Sequence, residues 1–215
     1  MNKRIISGVF ACGLLGAAVA QESRNSHGQV LQPSSNERRT EAAFKGNDVQ
    51  LELGVGDFDV IPAAGDKVVI AWWGKTANEA HAKIDVQGSR VVVSAGSDRH
   101  HDADVHFRIE LPKRVDIAAD AKVGEVKISS FDGSLDAQLG VGDLEVAVKN
   151  SGEYGVVTAS AGVGDVEPGP FGSEAKRSHL VGAKLDYHGN GNRHLKLHVG
   201  TGDVKIESGG SGETI

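Results

Sequence analysis

The sequence predicts an all-β chain: a β-solenoid, or β-helix-like stack of turns of about 20 residues, with an irregular antiparallel N-terminal part. Three observations carry this. A short phrase recurs as GVGDFDV (Gly54 to Val60), KVGEVKI (Lys122 to Ile128), GVGDLEV (Gly140 to Val146), GVGDVEP (Gly162 to Pro168) and GTGDVKI (Gly200 to Ile206), with a degraded copy, VGAKLD (Val181 to Asp186). Its central glycines Gly124, Gly142, Gly164, Gly182 and Gly202 follow at steps of 18, 22, 18 and 20. Around each copy apolar and polar residues alternate, the pattern of a half-buried strand. Finally, 29 glycines and only 5% aromatic residues suit a narrow aliphatic core bounded by many sharp turns.

The N-terminus reads as a secretory signal over residues 1–20. Lys3 and Arg4 form a basic start, Ile5 to Val19 are apolar or small, and Ala18-Val19-Ala20 is a small-residue cleavage site. The apolar run is too short to span a bilayer. Val9-Phe10-Ala11-Cys12 departs from a lipidation box at the bulky Phe10, so Cys12 is expected to leave with the signal. The mature chain, from Gln21, then has no cysteine and no disulfide, and only core and backbone ladder hold it together. Without Lys3 and Arg4, 21 basic face 29 acidic residues, a net charge of -8. No basic cluster suggests nucleic acid.

Residues 21–43 are polar, contain Pro33-Ser34-Ser35-Asn36 and show no periodicity, which predicts a flexible leader. The ordered domain is expected over 44–207. KVVIAWW (Lys67 to Trp73) is continuously apolar and predicts a strand buried on both faces; DVQGSRVVV (Asp85 to Val93) reads as a hairpin around Gly88-Ser89. This less regular part is either further coils or a small antiparallel cap. In VHFRIELP, Val105, Phe107, Ile109 and Leu111 face inward. Val126 and Ile128, then Leu144, Val146 and Val148, then Leu195, Leu197 and Val199, and lastly Val204 and Ile206, do the same. About eight rungs are expected. The Gly/Ser-rich tail, 208–215, reads as disordered.

Three residue sets bear chemistry. The acid after each glycine (Asp57, Glu125, Asp143, Asp165, Asp203) stacks into a column if the rungs are in register. An aspartate there caps the turn by accepting backbone N–H bonds; a Ca²⁺ ladder needs several oxygen ligands per turn, and one acid per 20 residues is sparse. The stretch RHHDADVH offers His100, His101 and Asp102 as weak metal candidates, but no closed-site spacing is met. His194 and His198 alternate with inward leucines and face outward. No nucleophile elbow, zinc-protease helix motif or phosphate-cradling loop is present. The expectation is therefore a non-enzyme without catalytic residues or cofactor.

ELPKRVDIAADAKVGEVKISSFDGSLDAQLGVGDLEVAV (Glu110 to Val148), where a Leu-Pro step precedes successive Gly-acid-aliphatic turns, and HLKLHVGTGDVKI resemble the bacterial putative adhesin family, whose members are exported and Gly-rich. The resemblance implies a stacked β architecture and an envelope location, and it offers no catalytic residues. The function expected is an exported, non-enzymatic cell-envelope interaction module, periplasmic or at the cell surface. Its partner is an envelope glycan, a protein or further copies of itself. The alternatives are a polysaccharide-active β-helix enzyme and a metal-stabilised structural envelope protein.

Overall fold

In a computed structural model the described residues are 37–97, 103–172, 176–177 and 182–209. The signal segment lies outside them, as do most of the leader, the metal candidates His100, His101 and Asp102, and the tail beyond Gly209.

The described chain is all-β. In order it forms β1 (Arg38–Ala43), β2 (Asp48–Val55), β3 (Asp57–Pro62), β4 (Lys67–Trp73), β5 (Ala80–Gln87), β6 (Arg90–Ser97), β7 (His106–Leu111), β8 (Asp116–Ile128), β9 (Leu135–Val148), β10 (Tyr154–Val163), β11 (Val166–Glu167), β12 (Lys176–Arg177), β13 (Ala183–His188), β14 (Arg193–Thr201) and β15 (Val204–Ser208). All join one open, mixed sheet. Its first arm pairs β5-β6-β2-β8-β9-β14-β10-β13-β12, and its second pairs β1-β4-β7-β3-β8-β9-β15-β11. The long strands β8 and β9 run through both arms and bend at Gly124 and Gly142, so the recurring phrase marks the corner between the arms.

The middle of the sheet is parallel and in register. Six levels lie side by side: β6 with β7, β2 with β3, β8, β9, β14 with β15, and β10 with β11. Their order departs from a solenoid's succession of coils. The level of β14 and β15 sits between β9 and β10, although β10 comes earlier in the chain. Likewise β2 lies between β6 and β8. The expected eight rungs are six parallel levels, because the remaining strands run antiparallel. β1 and β4 close the second arm, β5 closes the first, and β13 closes its far end. The degraded copy VGAKLD thus belongs to an antiparallel strand. Antiparallel strands at the ends break the parallel register that a further copy would have to continue.

Alternation places the core where the sequence predicts it. Leu51, Leu53, Val60, Ile109, Ile117, Leu139, Val146, Leu195, Val199 and Val204 are all buried. Phe58 stacks on Phe107 at 5.0 Å, and Tyr154, Phe171 and Tyr187 pack together beyond β10. β4 lies between β1 and β7 with Val68 to Ala71 wholly buried, as its unbroken apolar run predicts. The hairpin of β5 and β6 turns at Gly88, whose φ is +66°. Order begins before Phe44: β1 uses Thr40 and Ala42, which alternate with Arg39 and Glu41, inside the stretch expected to be leader. A six-residue strand rich in charge is weak alone and is fixed here by pairing with β4.

Candidate functional site

The corner phrase sets four parallel columns across the levels. At its second glycine the backbone takes φ from +127° to +149° (Gly56, Gly124, Gly142, Gly164, Gly202), which side chains disfavour. Space excludes them as well. A Cβ on Gly142 would stand 1.9 Å from the Gly124 carbonyl oxygen, and one on Gly202 1.9 Å from that of Gly142. The levels touch backbone to backbone here.

The acids stack next to these glycines, and each finds a local use. Asp143 Oδ1 accepts the Asp203 N–H at 3.1 Å, and Asp203 Oδ1 accepts the Asp165 N–H at 2.7 Å. Asp57 Oδ1 accepts from Glu125 at a longer 3.5 Å. Asp57, Asp143 and Asp203 thus cap the neighbouring level, the backbone role expected of them, while Glu125 pairs with Lys127 at 2.8 Å.

The column before the glycine is an exposed ridge. Val55, Val123, Val141, Thr201 and Val163 are register partners from level to level. Val123, Val141 and Val163 are 41%, 48% and 50% exposed. Alternation alone would turn them inward, and the corner turns them out.

Beside the ridge runs a trough. Its floor is the column one residue before the ridge, in the order Gly96, Gly54, Lys122, Gly140, Gly200 and Gly162, with Gly182 against Gly162 at the far end; close backbone approaches run from Gly96 to Gly54 and from Gly140 through Gly182. Six steps of about 4.8 Å make it roughly 29 Å long. Lys122 is the one side chain rising from the floor, so the column accepts a Cβ at that level. The far wall is polar: Glu52, Asp120, Gln138, His198, Ser160 and Lys184 are successive register partners. Near Gly54 the trough deepens to a cavity of about 520 Å³, lined among others by Glu52, Asp120, Lys122, His81 and Ser94. Gln50 Nε2 donates to Glu52 Oε1 at 3.1 Å.

On the second arm Arg108, Asp59, Lys127, Glu145, Lys205 and Glu167 form one column of alternating sign. Arg108, Lys127 and Glu145 lie on three different strands, and the register lines them up. Each charge has opposite neighbours, which stabilises the ladder and leaves little net field. Burial raises the Asp59 carboxyl above its ordinary range despite Lys127 and Arg108. Burial, then a hydrogen bond to Glu207, raises Glu145.

The remaining candidates stay apart. Asp104 pairs with Lys75 at 2.7 Å, and His106 lies 3.3 Å from Asp57 and stacks on Trp73. Trp73 also takes Arg108 over its ring at 5.4 Å, while Trp72 packs on the core and donates to the Ala77 carbonyl at 3.3 Å. His198 Nδ1 is 2.9 Å from Ser160 Oγ, on the trough wall. His106 is on β7, on the other arm and at the opposite end of the parallel stack, so the two histidines do not meet. Among the described residues no helix is long and apolar enough to cross a membrane.

Neither family models nor curated proteins match the chain. Among solved structures it is similar to a putative cell adhesion protein from Clostridium sporogenes, at 14% identity over 80% of this chain and 100% of that one, with a TM-score of 0.48. It is also similar to a putative adhesin from Bacteroides fragilis, at 13% identity over 82% and 99%, with a TM-score of 0.33. A putative adhesin from Parabacteroides distasonis matches at 12% identity over 80% and 70%, with a TM-score of 0.30.

Proposed function

We propose that the mature chain is an exported, non-enzymatic, adhesin-like module of the cell envelope that holds a linear glycan along its glycine-floored trough. The observation that carries this reading is the trough itself, with an exposed valine ridge on one side and a polar column on the other. The ladder bonds of these strands are used between levels, so an extended peptide laid there finds no strand edge to pair with. A sugar chain needs none. Its ring faces pack on valine and its hydroxyls bond to Glu52, Asp120, Gln138, His198 and Ser160. The Lys3/Arg4 start, the apolar run and Ala18-Val19-Ala20 support export.

A polysaccharide-active enzyme is the second reading. Glu52 and Asp120 are register partners inside the cavity, a placement that carboxylate-pair chemistry also uses. Both are exposed to water, which disfavours holding one of them as a protonated acid.

One experiment separates the two. The chain from Gln21 is incubated with fractionated envelope glycans, and retained protein and released fragments are scored together. Saturable retention without fragments is expected. Fragments that grow with time would overturn the non-enzymatic reading.

A further inference from the structure

The chain carries a net negative charge, yet one cavity runs against it. At the return side of the sheet a depression of about 740 Å³ is lined by Lys45, Lys113 and Arg114, with a single acid, Asp66. Its floor is apolar, from buried Phe44 and Pro112 with Ala63 and Ala64.

The cations are available. Several lysines elsewhere sit against acids, as Lys67 does with Glu41 at 2.9 Å and Lys127 with Glu125 at 2.8 Å. Lys45 and Arg114 hold no acid among the described residues, and Lys113 reaches Asp132 only at 3.8 Å. The fold holds the three in place. Phe44, beside Lys45, is anchored by its N–H on the Asp66 carbonyl at 3.0 Å. Asn47 is tied to β8 through its carbonyl, which accepts the Asp116 N–H at 2.7 Å. Pro112 and Val115, on either side of Lys113 and Arg114, are buried. A planar guanidinium and two ammonium groups around an apolar floor suit a doubly charged oxyanion carried on an organic body.

We infer that this cavity binds a phosphate group, and that Arg114 and Lys45 are its principal ligands. The inference stands apart from the trough, which lies on the outward face of the first arm. Free phosphate and a phospholipid headgroup offer the same chemistry, so the test carries an arm for each. In the first arm, melting of the mature chain is followed in inorganic phosphate and in chloride of equal ionic strength. In the second, the chain is sedimented with vesicles of phosphatidylglycerol in phosphatidylcholine, or of phosphatidylcholine alone. Both arms include the double variant K45Q/R114Q, whose exposed side chains make no bond to the described residues, and its urea midpoint checks that it folds normally.

A phosphate-specific rise in melting temperature that the variant lacks supports the site as one for a free phosphate. Sedimentation with the anionic vesicles alone, falling at least tenfold in the variant, supports the headgroup. Absence of both effects, or effects that the variant retains, overturns the proposal. Glycan retention by the variant is expected to equal that of the parent, so a failure here is distinguishable from a failure of the trough.

Discussion

Replacing Gly142 by alanine tests how tightly the levels are stacked. The native backbone there has φ +127°, where an L-residue carries strain of about 1–3 kcal/mol. The new Cβ would also stand 1.9 Å from the Gly124 carbonyl oxygen, 1.1 Å inside the 3.0 Å that real Cβ contacts respect. That contact is backbone on backbone, so no rotamer relieves it. β8 and β9 must separate locally and weaken ladder bonds worth about 0.5–1.5 kcal/mol each. Strain and two such bonds together come to about 2–6 kcal/mol, a large share of the roughly 5–15 kcal/mol that holds a domain folded. With a urea slope of about 2 kcal/mol/M the midpoint should fall by about 1–3 M. Two controls divide the effect. Gly88 has φ +66° with open space around its Cβ, so Gly88→Ala carries strain alone, about 1–2 kcal/mol. Gly65 has neither constraint, and Gly65→Ala should be neutral or stabilise by up to about 1 kcal/mol. If Gly142→Ala costs no more than Gly88→Ala, the backbone contact between levels is not there.

Further outcomes follow from the same geometry. Asp203→Ala removes the cap on the Asp165 N–H and should cost about 1 kcal/mol, read from the urea midpoint. Glu145→Gln should stabilise at neutral pH. Burial and the bonded Glu207 raise the native pKa of Glu145, so the native state binds the proton more tightly than the unfolded one. Stability is then lost as pH rises through that native value, and the gain from glutamine should vanish below the unfolded pKa of about 4.3, as melts at pH 7 and pH 3.5 would show. The order of the levels is open to cross-linking in the chain from Gln21, which contains no cysteine. V141C/T201C joins register partners about 4.8 Å apart and should oxidise readily, whereas V141C/V163C spans two levels, about 10 Å, and should not. Cross-linking of the second pair with the first silent would contradict the placement of β14 between β9 and β10.

Much of the fold was legible because burial has period two. Phe107, Ile109, Val146 and Val199 face the core as their alternation requires, and Val68 to Ala71 are buried on both sides because nothing polar interrupts them. The acid column was legible for the same reason: a repeat in register stacks like with like. The order of the levels was not. The phrases are so alike that β10 and β14 could exchange places without changing any local pattern, and only the antiparallel pairing of β13 with β10 distinguishes them. β1 was missed because Arg38 to Ala43 is too short and too charged to signal a strand without β4. Half of the trough was on the page in the sequence. The first glycine of GVGDFDV, GVGDLEV, GVGDVEP and GTGDVKI falls at an outward position, and a row of absent side chains is a groove once the strands are parallel. Its other half, the valine ridge, was hidden because alternation assigns Val123, Val141 and Val163 to the core, and the corner overrides it.

The most direct measurement compares envelope-glycan retention by the chain from Gln21 with that of V123S/V141S/V163S. These side chains are exposed, so the variant should keep its stability, read by urea unfolding, to within about 0.5 kcal/mol per site. If the trough holds the glycan, retention should weaken at least tenfold while folding is unchanged. Retention that survives intact on the folded variant would contradict the account and place the binding surface elsewhere on the molecule.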